Sequence, residues 1–234
     1  MSSRKLTRSV VVGIAAIAIG GGTYGVVSAT TGSGSPVASS GPSAAGSGSG
    51  GGPASNARSG PEPGGSAGTV SSSSASGFTL TTAGGQKVTI KDTASTTYEN
   101  GTSPASASAV TAGRPVLVLG TADSTTITAT EVIVHPPAST SATASEVIPF
   151  QRGTAGSTKT VGQIPADYTQ GQGTIATGAA ADKAAEASLT AYPGGVVDRV
   201  VELGNGDYEV HNIGVSWPHH VFVNQDFKVI GAND

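Results

Sequence analysis

The chain contains no cysteine. That excludes disulfide staples, cysteine-bound zinc, thiol catalysis and a lipid anchor attached through a lipobox cysteine. Aromatic residues are scarce: four Phe, five Tyr and one Trp in 234 residues. Charged residues make up only 12 %, about half the usual share. The net charge is −3, with no basic surplus to hold a polyphosphate backbone, so nucleic acid is not an expected partner. What is abundant is glycine, 35 residues, together with 13 proline. Gly and Ala bury little apolar area for the backbone entropy that ordering them removes. A single globule of this length is therefore not expected; the composition predicts small modules separated by polar tracts.

The amino end reads as an export element, residues 1–29. Arg4, Lys5 and Arg8 precede an uncharged run over residues 10–29, strongly apolar in its first half and diluted by Gly20, Gly21, Gly22 and Gly25 in its second. A basic flank before an apolar run places the amino terminus inside and the remainder outside. Val27-Ser28-Ala29 suits signal-peptide cleavage after Ala29. Alternatively the run spans ~30 Å as a helix and stays in the membrane. A long tether follows, which is useful only with one end fixed, and this favours a retained single-pass anchor, with a secreted product if cleavage occurs.

Residues 30–76 are almost entirely Gly, Ser, Ala, Pro and Thr, with two charges, Arg58 and Glu62. Such a segment is expected to be a disordered linker, with an r.m.s. span of roughly 35–40 Å. Residues 136–177 form a second low-complexity linker. In it, Val147, Ile148, Pro149, Phe150 and Tyr168 are the residues able to dock on a neighbour.

Residues 77–135 predict an all-β module. Phe78 and Leu80 alternate with threonines, a turn at Gly84-Gly85 follows, and Val88 and Ile90 alternate with Lys87, Thr89 and Lys91, a hairpin pattern. Thr96-Thr97-Tyr98, residues 116–121 and residues 126–134 complete five expected strands, enough for a small barrel. The set Phe78, Leu80, Gly85, Val88, Ile90, Tyr98, Val110, Gly113, Val116, Val118, Gly120, Ile127, Ala129 and Val132 resembles an exported bacterial OB-like domain of unknown function. The resemblance implies a fold and no activity. The family's acid after the glycine that precedes the fourth strand is replaced here by Arg114.

Residues 178–234 hold five of the ten aromatics and three of the four histidines. Ala181, Ala185, Leu189 and Tyr192 recur along one helical face, and Pro193-Gly194-Gly195 ends the helix. Two hairpins follow, one around Asn205-Gly206 and one around Gln225-Asp226. One helix on a four-stranded antiparallel sheet is the α+β expectation. Ala181, Ala184 and Ala185, then Ala191-Tyr192-Pro193-Gly194-Gly195, Val200, Leu203, Gly206, Tyr208-Glu209-Val210-His211, Val221, Val223, Phe227 and Val229 together resemble the PepSY family. That resemblance implies an extracytoplasmic module that restrains a peptidase near the cell surface. The chain departs from the family in the inserted Trp217-Pro218-His219-His220 segment and in Asn224, where an aspartate is usual.

That segment supports three readings. Trp217, with Pro218, His219, His220 and Tyr208, is a candidate partner-binding surface, since an aromatic on a loop often anchors an interface. His211, His219 and His220 are candidate metal ligands, helped by Glu209 or Asp226. Neighbouring strand residues point to opposite faces, so His219 and His220 share a site only if they lie in irregular chain. On the third reading Trp217 covers an edge of the small core and the histidines finish strand ends. Gly171, Gly173 and Ala176 imitate a dinucleotide fingerprint, but no apolar strand precedes them. No nucleophile elbow, zinc-protease helix or P-loop is present. The sequence-based expectation is a non-catalytic envelope protein without a cofactor, acting through another envelope protein such as an extracytoplasmic peptidase; the alternative is an envelope module that binds a ligand or metal.

Overall fold

A strand built from the least promising part of the sequence organises the fold. In the computed structural model, whose described residues are 60–136, 146–153, 156 and 158–234, β1 runs over Glu62–Ser74. It pairs antiparallel with β2 (Gly77–Thr81) and β6 (Pro115–Asp123). β2 continues to β3 (Lys87–Lys91), which runs parallel to β7 (Thr126–Val134), and β7 returns antiparallel to β6. The order β1-β2-β3-β7-β6 closes on itself as a five-stranded barrel, compatible with the OB-like expectation. Its interior holds Val70, Phe78, Leu80, Val88, Ile90, Val118, Ile127 and Val132, the inward half of each alternating strand.

This corrects two expectations. Residues 62–74 are not linker, and the barrel begins before residue 77. Thr97 and Tyr98 belong to β4 (Thr97–Asn100), which with β5 (Ser103–Pro104) adds to the outer end of β7 and does not close the barrel. The physical reason lies in β1's small residues. A Cβ on Gly65 would lie 2.3 Å from the Val118 carbonyl oxygen, and one on Gly68 would lie 2.4 Å from that of Thr81. The strand is paired on both sides and crowded by carbonyls, so glycine is what allows neighbouring backbones this close.

β1 also joins the barrel to the rest of the chain. Gly65 and Ser66 pair with Val197 and Val196 of β11 (Val196–Glu202), and the buried Ser66 hydroxyl donates to the Gly195 carbonyl at 3.0 Å. The expected two separate modules are therefore one compact unit with a continuous sheet. From β11 the sheet proceeds antiparallel through β12 (Tyr208–Ile213), β14 (His220–Val223) and β15 (Val229–Asn233). The helix α1 (Gly178–Ala191) packs on one face, burying Ala181, Ala184, Ala185 and Leu189 against Val200, Val210 and Val221. Helix and four antiparallel strands appear where the periodicity predicts them.

The expected second linker is in part structural. β8 (Ile148–Pro149) pairs with β13 (Val215–Trp217), β9 (Val161–Gly162) extends the sheet beside β15, and β10 (Thr174–Ile175) pairs with β11. Ile164, Tyr168 and Ile175 cover Val201, Leu203 and Phe222 on the sheet face opposite α1. Val147 and Ile148 dock as expected, whereas Phe150 stays 65 % exposed. No helix among the described residues is long and apolar enough to cross a membrane; the candidate anchor at 10–29 and residues 30–59 of the tether lie outside them.

Candidate metal centre

The sheet has two unlike faces. Alternation sends Val200, Val210 and Val221 towards α1. It sends Val201, Glu209 and Phe222 to the other face, in one cross-strand row, and Arg199, His211, His220 and Asn233 to that same face in the next row. The first of these rows is largely apolar and roofed by Tyr168; the second is polar throughout. Arg199, Glu209, His211 and His220 are all buried, so this polar half must be satisfied internally or by a ligand.

Two carboxylates meet the histidines. β11 carries an irregularity between Val197 and Arg199, which leaves Asp198 as the extra residue of a bulge. Bulges re-aim side chains, and here the Asp198 carboxylate reaches His211, accepting from Nδ1 at 2.5 Å. Its second oxygen lies 3.4 Å from Nη1 of Arg199. Two positions along β12 from His211, Glu209 accepts from Nδ1 of His220 at 2.7 Å. A carboxylate on Nδ1 orients the ring, and when such an imidazole binds a metal it does so through Nε2.

His219 completes the group. After a cis Trp217–Pro218 peptide the chain bends at His219, just before β14. Its carbonyl accepts from the Asn212 amide at 2.7 Å, and its amide donates to the Asn233 carbonyl at 2.9 Å. The ring centroid sits 4.3 Å from that of His211 and 4.9 Å from that of His220. This is the irregular chain that sharing a site between adjacent histidines requires. One ligand nitrogen from each of His211, His219 and His220 lies within 4.8 Å of the others. Around a tetrahedral ion with bonds of about 2.0–2.1 Å the nitrogens would stand about 3.3 Å apart, so a modest inward swing of the rings closes the set. Burial, then the neighbouring His211 and His220, push the His219 imidazole down to about 4. At neutral pH it is uncharged and able to donate its lone pair.

Several polar atoms here have no partner: Oε2 of Glu209, Nε of Arg199 and Oδ1 of Asn233. A cavity of about 310 Å³, lined by Gly60, Asp123, Ser124, Asp198 and Ile213, shares Asp198 with the cluster and adds a second carboxylate to its wall.

The proposed partner surface is corrected. Trp217 is 1 % exposed, with its ring edge-on to Tyr192 and its indole N–H donating to the Lys159 carbonyl at 2.9 Å. Pro218 and His220 are buried, and Tyr208 stacks on Phe227 within the core. The small module needs its one tryptophan for packing, and β8 covers the loop that carries it. Asp226 lies exposed at a hairpin tip, hydrogen-bonded through its amide to Asn224, outside the cluster. Sequence reading named the three histidines and Glu209 but missed Asp198 and Arg199. Their signal is an Asp-Arg pair between the valine pairs of a strand, where charges need a reason to be withdrawn from water. Among protein families, curated proteins and solved structures, no match to the chain is found.

Proposed function

We propose that this chain is an envelope-tethered binding protein for a divalent transition-metal ion, held by His211, His219 and His220. The observation that carries the reading is the convergence of three imidazoles within 4.8 Å, two of them bonded at Nδ1 to carboxylates, the buried Glu209 and the partly buried Asp198. Imidazole sets of this kind suit zinc, copper and nickel, and a carboxylate behind the imidazole is the usual support of a ligating histidine. The basic flank and apolar run at the amino end supply the membrane attachment in this reading, and the OB-like barrel serves as the rigid base from which β11 departs. The PepSY resemblance offers peptidase restraint as another role, but its best anchor, Trp217, is buried.

Calorimetry and thermal melting of the full chain with Zn²⁺ and Cu²⁺ test the proposal. One ion per chain, with a rise in Tm that disappears in His219→Ala, is the expected result. A site saturated a hundredfold above its Kd adds about 2.7 kcal/mol of stability. Neither heat nor a Tm shift with any of zinc, copper or nickel would overturn it.

A further inference from the structure

Resting on that metal reading, we infer that the loaded centre is itself a receptor for a small carboxylate, bound jointly by the ion's fourth position and the guanidinium of Arg199. Three protein ligands leave a tetrahedral ion one open position. Arg199 stands directly opposite His211 across the β11–β12 pair, in the same row as His220.

The guanidinium is underused. Arg199 is 6 % exposed, its contact with Asp198 is long at 3.4 Å, and Nε is buried without a partner. Arginine carries five donors in a rigid fork, and unmet buried donors are costly. Charge points the same way. Within the cluster, three histidines that are neutral as ligands, the two carboxylates of Asp198 and Glu209, one arginine and a divalent ion leave one net positive charge, Asp123 being exposed to solvent outside it. A buried excess charge of that sign is relieved by a monoanion. A carboxylate fits both partners: one oxygen on the ion, the other on the fork. Of the three histidines only His219 is partly exposed, so the approach is narrow and the ligand small.

The test uses the full chain loaded with Co²⁺, whose visible bands report coordination, titrated with acetate and separately with azide. Acetate engages both ion and fork; azide needs only the ion. Acetate is expected to shift the bands, and Arg199→Gln is expected to weaken acetate about tenfold or more while azide changes by no more than about threefold. Should Arg199→Gln fail to fold by circular dichroism, Arg199→Lys, which keeps the charge and loses the fork, carries the same comparison. Cobalt uptake with no response to acetate overturns this inference and leaves the metal reading standing. Equal weakening of acetate and azide overturns it as well, by reducing Arg199 to a general electrostatic influence. No cobalt uptake overturns this inference, and the metal reading falls with it only when zinc, copper and nickel also give neither heat nor a Tm shift.

Discussion

Glu209 accepts a hydrogen bond from Nδ1 of His220 at 2.7 Å, with the two side chains almost wholly withdrawn from water. The pair lies across adjacent strands rather than along one, so the carboxylate comes at the imidazole from behind and leaves its far nitrogen free. Glu209→Gln keeps the shape and removes the charge. We predict about a 10- to 100-fold loss of zinc affinity, measured by chelator competition. Unchanged affinity in a folded variant would reduce Glu209 to a packing role.

Trp217 is predicted to act in the core and not at an interface. Trp217→Ala should cost about 3–5 kcal/mol of unfolding free energy, read from urea denaturation of the full chain. A variant as stable as the parent would contradict the burial of that ring.

β1 is predicted to be indispensable to the barrel. A chain starting at Gly77 lacks one of the five staves and should not melt cooperatively, whereas one starting at Gly60 keeps every described element and should. Gly68→Ala, driven against the Thr81 carbonyl, should lower stability by about 1–3 kcal/mol. Differential scanning calorimetry distinguishes the cases.

The junction of α1 with the barrel carries a pH dependence. Partial burial, then the charges of Glu99, Glu186 and Asp182, raise the Glu131 carboxyl above its ordinary range; burial first, then Glu99, does the same to Glu186, and burial alone raises Asp182. These groups bind protons more readily folded than unfolded. Their favourable contribution is present below the ordinary carboxylate range and is lost as pH rises through the elevated values. Glu131→Gln should therefore melt higher than the parent at pH 7, and the gap should close near pH 4. A gap of equal size at both pH values would refute the assignment.

Much of this was legible in the sequence, for identifiable reasons. Val88 and Ile90 are buried while Lys87, Thr89 and Lys91 are exposed, as period-two alternation requires. Ala181, Ala185 and Leu189 line the buried face of α1, with Tyr192 buried just past its end, because 3.6-residue periodicity survives even in an alanine-rich helix. β1 was not legible. Its Gly and Ser residues reflect backbone crowding on both flanks, and that crowding exists only once β2, β6 and β11 are in place. The histidines could be named from sequence, but their convergence depends on the bend at His219, and the approach of Asp198 depends on a bulge. Both are departures from regular periodicity, to which pattern reading is blind.

The pairing of Gly65 with Val197 also sets an order of events. A strand near the start of the described residues cannot complete its hydrogen bonds until the last quarter of the chain has been made. Until then its crowded, side-chain-poor edge has nothing local to hold it. Contacts so distant in sequence slow folding. The five barrel strands are all made by Val134, so the histidine-bearing sheet is expected to mature last, against a barrel already able to close.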